Sequence, residues 1–317
     1  MITRKEFLKL LGIASFAAFL DACSPPAKGT SEVIPSTNTH IPPTNTAEPT
    51  IPAEPTLKEK APIVPEMVVV QAGDFEMGSI DGYPNEQPIH PITISKPFYI
   101  SIYEVTYEEF DIFCELTLRY NKPDDQGKGR GNRPVGGVDW YDAVEYCNWL
   151  SEEGGLSPCY SGNGKTIKCD FSANGYRLPT EAEWEFAARG GQMSQGYPFA
   201  GGNDPNNVAW YGGNSGGSAH GVGQKEPNEL GLYDMSGNRF EWCWDWYTES
   251  YYSESEGIDP QGPPMPQVDS PWELVRVRRG GNWGEKKESI RTTARSYDDP
   301  AYPGDNGFRL VRSAGAE

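Results

Sequence analysis

Six cysteines and three histidines are the residues of this chain best suited to nucleophilic, redox or metal chemistry, and their spacing assembles little of it. His40 stands in a Pro/Thr-rich stretch. His90 and His220 have no metal-ligand partner near them in sequence, so a multi-histidine centre is not expected. No paired-cysteine zinc spacing and no glycine-rich strand-to-helix phosphate loop occurs. Gly213-Asn214-Ser215-Gly216-Gly217 has the outward form of a serine-protease nucleophile loop, but no matching histidine segment accompanies it, so it reads as a loop. Cys159 and Cys169 flank the turn-like Ser161-Gly162-Asn163-Gly164, which makes them the expected local disulfide outside the cytoplasm. Cys114 and Cys147 fall on apolar faces of predicted helices and Cys243 lies in the aromatic run 242–246, where a thiol behaves as a small hydrophobe.

The elements that must position these residues are short. Alternation predicts strands near residues 67–70, 75–78, 92–94 and 98–102. Thr106-Tyr107-Glu108-Glu109 is a capping box, and Phe110, Phe113 and Cys114 follow at helical spacing, predicting a helix over about 106–118. Asp139 caps a second helix whose Ala143, Tyr146, Cys147 and Leu150 share one face, ending near Gly154-Gly155. Thr180-Glu181-Ala182-Glu183 opens a third, which stops at Gly190-Gly191. Beyond it the chain predicts short strands and long ordered loops rich in Gly, Asn, Trp and Asp.

The N-terminus reads as an address. Arg4, Lys5 and Lys9 precede the apolar run 10–20, too short to span a bilayer, and Leu20-Asp21-Ala22-Cys23 follows. This resembles the lipobox of bacterial lipoproteins, with Cys23 as the acylated residue; Asp21 departs from that pattern, and an ordinary secretory signal is the alternative. Thr3-Arg4-Lys5-Glu6-Phe7-Leu8-Lys9 also resembles a twin-arginine signal with Lys5 in place of the second arginine. Residues 24–65, rich in Pro, Thr, Ser, Ala and Glu, cannot bury enough apolar surface to offset ordering and form an expected disordered linker, reaching on the order of 100 Å. One domain, 66–317, is expected to follow. The formal charge of −18 with no basic stripe argues against nucleic acid, because phosphate neutralisation drives that affinity. The expected location is therefore extracytoplasmic, at the membrane through a lipid anchor, in the periplasm or on the cell surface.

Several ordered segments are more specific than any of these. They are Met67-Val68-Val69-Val70-Gln71-Ala72-Gly73-Asp74-Phe75-Glu76-Met77-Gly78-Ser79, Tyr103-Glu104-Val105-Thr106 and Pro134-Val135-Gly136-Gly137-Val138-Asp139-Trp140. There follow Tyr176-Arg177-Leu178-Pro179-Thr180-Glu181-Ala182-Glu183-Trp184-Glu185 and Gly231-Leu232-Tyr233-Asp234-Met235-Ser236-Gly237-Asn238-Arg239-Phe240-Glu241-Trp242. Arg279-Gly280-Gly281-Asn282-Trp283 and Asn306-Gly307-Phe308-Arg309 complete the series. Together, over about 67–312, they resemble the formylglycine-generating enzyme, or sulfatase-modifying-factor, family. The resemblance implies an α+β, C-type-lectin-like mixed fold of low regular secondary structure. It also implies calcium: one site on Asp234, Gly237, Arg239 and Glu241, the glycine and arginine through backbone carbonyls, and a second on Asn207, Val208, Asn214 and Gly216. Oxygen ligands of this kind suit a hard cation.

The family's chemistry uses two cysteines after the Gly-Gly segment to hold copper and activate oxygen. Here no cysteine stands anywhere from Gly280 to Ser296 or beyond, and Glu or Lys cannot replace a thiolate pair for copper(I). Loss of formylglycine generation is therefore expected. Three readings remain: a non-catalytic envelope module binding a protein or peptide, an enzyme of another kind using Glu285, Glu288, Asp298 or Asp299, and calcium-dependent glycan binding through Glu226-Pro227-Asn228.

Overall fold

The computed structural model describes residues 60–119, 122–267 and 274–315. Cys23 and the linker up to residue 59 lie outside them. Among the described residues no helix is long and apolar enough to cross a membrane.

Eleven short strands and four helices alternate among the described residues. The strands are β1 (Met67–Val70), β2 (Gly73–Met77), β3 (His90–Ile94), β4 (Phe98–Ser101), β5 (Tyr160–Ser161) and β6 (Lys168–Cys169). Then come β7 (Phe240–Trp246), β8 (Arg276–Arg279), β9 (Ser296–Asp298), β10 (Asn306–Gly307) and β11 (Val311–Ser313). The helices are α1 (Tyr107–Leu116), α2 (Trp140–Glu153), α3 (Glu181–Ala188) and α4 (Pro205–Val208). The expected mixed fold of low regular content is what the chain adopts.

The three long helices begin where the sequence says. Thr106 Oγ1 accepts from the Glu109 amide while the Glu109 carboxylate returns to the Thr106 amide, and Thr180 with Glu183 repeats the arrangement. Asp139 caps α2 through the Asp142 amide. Each cap supplies acceptors to amides that have no partner within the helix.

Strand order is β1-β4-β11 in one sheet and β10-β7-β8-β9 in the other, with β2-β3 and β5-β6 as separate hairpins. Chain ends and middle thus interleave: β11 lies against β4, and β10 runs parallel to β7. One core packs α1 and α2 around Phe110, Phe113, Tyr146, Trp140, Trp242 and Phe308. The other packs α3 between the sheets around Trp184, Phe186, Val277 and Ile100.

Between these layers runs buried charge. Arg309 spends all its donors: Nε and Nη2 hold both oxygens of Glu241 at 2.6 and 2.7 Å. Its remaining hydrogens reach the carbonyls of Ser101, Ile102 and Tyr233 at 3.0, 3.3 and 2.9 Å. Trp184 Nε1 adds a 2.7 Å bond to the same carboxylate. A second network ties Arg279 and Arg295 to Glu181, and Arg279 to Glu185, at 2.7–2.8 Å. An ammonium cannot reproduce a planar five-donor fork, and truncation leaves a buried carboxylate uncompensated. Arg309→Lys should therefore lower unfolding free energy by about 3–5 kcal/mol, measured by urea denaturation; a loss under 1 kcal/mol would show the network to be dispensable.

Candidate functional site

Two features converge beneath the Gly231–Trp242 region, joined by one residue. The first is a nest of buried acids. Asp234 and Glu104 are each 2% exposed and Glu241 is fully buried. Asp234 Oδ2 accepts from the Gly223 amide at 2.8 Å and Glu104 Oε2 from Asn238 Nδ2 at 2.7 Å. Their other oxygens, Asp234 Oδ1 and Glu104 Oε1, are buried with no hydrogen-bond partner. Burial, opposed by the Gly223 amide, raises Asp234 from 3.8 to about 6. Burial first, then the neighbouring charges of Asp234 and Glu241, pushes Glu104 well above the carboxylate range.

Three buried carboxylates face the single guanidinium of Arg309, so full ionisation leaves an excess of two negative charges. A divalent cation or protons must balance it, because an unpaired buried charge is costly. The free oxygens of Asp234 and Glu104 fit a hard cation. Glu241 is committed to Arg309 and Trp184, and among the described residues no three His, Cys, Asp or Glu side chains converge on one point as a finished metal site. Of the first expected calcium set, Glu241 is engaged by Arg309 and Trp184, while Glu104, quoted in the sequence motif but given no role, carries a buried unpartnered oxygen as Asp234 does. Gly237 stands at φ 79°, its amide bonded to the Gly280 carbonyl.

The second expected calcium set fits less well. Asn214 spends its amide on its own loop, accepting from the Tyr211 amide and donating to the Ala209 carbonyl, both at 2.9 Å. Asn207 is exposed and Val208 buried, and the four positions offer no carboxylate.

The other feature is a cleft of about 260 Å³ lined by Tyr107, Asp124, Arg133, Arg239, Trp283 and Asp305, among others. Arg239 Nη1 pairs with Asp305 Oδ1, and Asn282 Nδ2 reaches Asp305 Oδ2 at 3.0 Å. Gly136 leaves room for the guanidinium: a Cβ there would lie 1.9 Å from Arg239 Nη1, and the arginine would have to move. Trp283 is held by backbone: its amide donates to the Asn238 carbonyl at 3.0 Å and its carbonyl accepts from Ser215 Oγ at 2.8 Å.

Asn238 joins nest to cleft. Fully buried at φ 56°, it binds Glu104 and the His220 amide through its side chain and Trp283 through its carbonyl. Asparagine tolerates this left-handed backbone better than most residues, and a β-branched one would be strained there.

None of the five described cysteines is primed as a thiolate. Cys114, Cys147, Cys159, Cys169 and Cys243 are all free, and burial pushes every one of these thiols up from its ordinary value. The expected Cys159–Cys169 disulfide is not formed. The β5–β6 register sets Cys169 opposite Tyr160, leaving Cys159 one residue out of step, where its thiol donates to the Gly175 carbonyl at 3.3 Å.

Two other sets of residues do not assemble a site. Glu288 is exposed, Asp298 pairs with Arg278 at 2.7 Å, and no acid–base pair forms with Glu285 or Asp299. Asn228, of the tripeptide that suggested sugar reading, is 5% exposed and fully engaged. It donates to the Ala187 and Ala188 carbonyls and accepts from the Leu230 and Leu232 amides, so it presents nothing to a glycan.

Comparison with known proteins adds the following. The model of the sulfatase-modifying factor enzyme 1-like domain matches residues 53–314. The chain is 35% identical over 284 residues to the chaperone protein LppX of Paenibacillus barcinonensis, covering 78% of this chain and 89% of LppX. It is 31% identical over 290 residues to the formylglycine-generating enzyme of Streptomyces coelicolor, covering 78% and 89%. Among solved structures, Treponema denticola variable protein 1 superposes with a TM-score of 0.64 at 32% identity, covering 78% of this chain and 95% of that one.

Asp234 predicts a pH signature. A carboxylate that is harder to ionise when folded costs stability above its unfolded value, and the cost grows as pH rises from 3.8 toward about 6, then holds. In chelator, Asp234→Asn should therefore be more stable than the parent by roughly 1–3 kcal/mol at pH 7.5 and gain nothing at pH 4. Paired urea titrations at the two pH values test this; equal gains at both would detach the effect from ionisation.

Proposed function

This chain belongs to the sulfatase-modifying factor enzyme 1-like family, and from that premise we propose that it is a non-catalytic, calcium-stabilised binding module, lipid-anchored at Cys23 outside the cytoplasm, whose Trp283 cleft engages a protein or peptide client. One observation carries the reading: the cleft is built and braced, yet the segment from Gly280 to Ser296, which lends it Trp283, holds no cysteine. Copper(I) needs soft thiolates, and the buried thiols elsewhere in the domain are held protonated. The Arg239–Asp305–Asn282 lock stands at the cleft instead, a charged and hydrogen-bonded surface that can bind but has no redox-active atom.

In this reading calcium would sit on Asp234 and Glu104 and neutralise the excess buried charge. It would supply no bond-making chemistry; through Asn238 its role is to fix the backbone on which Trp283 is mounted. The likeness to a protein named as a chaperone supports a client-binding role over a catalytic one. The Pro/Thr-rich linker would give the tethered domain reach toward a client at the membrane.

Two measurements test the reading. Calcium at a hundred times its dissociation constant should add roughly 2.7 kcal/mol to the unfolding free energy at pH 7.5. Asp234→Asn should remove that gain, so that with calcium present the variant loses most or all of the advantage it holds over the parent in chelator. No calcium effect at any concentration would sink the metal assignment. Separately, purified protein with copper(I), oxygen and a cysteine-containing sulfatase peptide should leave the peptide mass unchanged, while the same protein crosslinks envelope clients through residues around Trp283. Conversion of the cysteine to an aldehyde would overturn the non-catalytic reading.

A further inference from the structure

A cavity of about 530 Å³ among the described residues is separate from the cleft and has no part in the function proposed above. It opens beside β11, at the outer edge of the β1-β4-β11 sheet. The register there alternates. Leu310 and Ala314 bond toward β4, through Ser101 and Pro97, while Val311 turns the other way and exchanges both backbone bonds with Arg177 at 2.8 Å. Ser313 points to the same side as Val311, but the chain carrying Arg177 has already turned off. The Tyr176 amide donates to Ser151 Oγ, and Gly175 lies against the Ser157 carbonyl. The Ser313 amide and carbonyl therefore face the cavity with no backbone partner among the described residues. Such an unpaired edge is a template for another extended chain.

The charges around the cavity narrow the occupant. Arg177 is bound to Glu183 through two 2.7 Å bonds, and Asp259 accepts from the Ser95 amide at 2.7 Å and from its hydroxyl. Of the charged lining residues, Lys96 and Asp259 have no ion pair among the described residues; both Asp259 oxygens are taken up by Ser95, so Lys96 is the charge left without a partner. Phe98 and Phe171 supply apolar wall, and at Gly315, at φ 106°, a Cβ would meet nothing within 4 Å. The volume lies within the roughly 300–1,000 Å³ of ligand-binding clefts and holds a few residues of extended chain.

We propose that this cavity is a second docking site, which takes an extended peptide as a strand added to β11 at Ser313 and receives an acidic side chain of that peptide against Lys96. The proposal rests on the client-binding reading and supplies what that reading lacks, the chemical class of the bound segment. Main-chain bonds at Ser313 would give affinity with little regard to sequence, and Lys96 would select for negative charge.

The test uses the full chain in detergent with calcium and two fluorescein-labelled, end-blocked probes, Thr-Val-Thr-Val-Asp and Thr-Val-Thr-Val-Lys, read by anisotropy. The acidic probe should bind at least fivefold more tightly. Ser313→Pro removes an amide that points away from β4 and so spares the ladder; it should weaken both probes about tenfold. Lys96→Glu changes an exposed side chain, leaves folding intact, and should reverse the preference between probes. Unchanged affinities in both variants with loss in Trp283→Ala would overturn the β11 site while leaving the client-binding cleft standing. Absence of binding to either probe would also overturn it, and the crosslinking of clients around Trp283 would then decide the cleft by itself.

Discussion

The structure depends first on the pairing of Arg309 with Glu241. Five donors of one guanidinium meet a carboxylate and three carbonyls that come from β7, the end of β4, the residue after it and the loop before β7. No regular sheet of this domain exceeds four strands, so hydrogen-bonded ladders cannot hold the layers together alone. Buried ion pairs are usually a poor source of net stability, since desolvation consumes most of the attraction. Their value here is geometric: a planar fork with every donor used admits one arrangement of the segments it touches, and loops without secondary structure need such a constraint more than helices do.

That constraint has a consequence for charge. Once Glu241 is assigned to Arg309, Asp234 and Glu104 remain buried beside it with one oxygen each unpartnered. The fold thus carries unmet electrostatic demand at the point where its two functional features join. The cost is tolerable if a cation resolves it, and Asn238 then links Glu104, to which its side chain donates, to Trp283, whose amide donates to its carbonyl. On the reading proposed, calcium and cleft are one assembly. A module whose client site is mounted on a cation-dependent support would be well formed where calcium is plentiful and poorly formed where it is scarce.

The sequence disclosed elements better than sites, for a physical reason. Capping boxes at Thr106 and Thr180 are local, four-residue chemistry, and the helices start where those residues say. The strand 67–70 is legible because three consecutive valines favour extended backbone. Site calls depended on which partner a side chain meets across the fold. The partner of Glu241 is Arg309, 68 residues away, which no local pattern announces. Glu104 stood in a quoted motif with no local sign of its burial or of Asn238, 134 residues on. Asn228 offered a sugar-reading tripeptide whose amide is spent inside the protein. The Cys159–Cys169 pairing failed by one residue of register, a quantity that spacing alone does not fix.

On the reading proposed, the cleft performs no redox chemistry, and this changes what it must do to keep its shape. In a site that performs redox chemistry, the reactive sulfurs have to be reachable and ionised, which forbids filling the wall with interlocking charge. Here Arg239, Asp305 and Asn282 lock together, with Gly136 leaving room for the guanidinium. A surface freed from supplying a nucleophile can afford rigidity, and rigidity favours binding by lowering the ordering cost of association. The same logic separates the cleft from the β11 edge. The cleft presents fixed side chains and so suits selective recognition, whereas the edge presents an amide and a carbonyl and suits any extended chain of the right charge. A client with structured and unstructured parts would meet both, each weakly, and the shared tether would make their combination stronger than either alone.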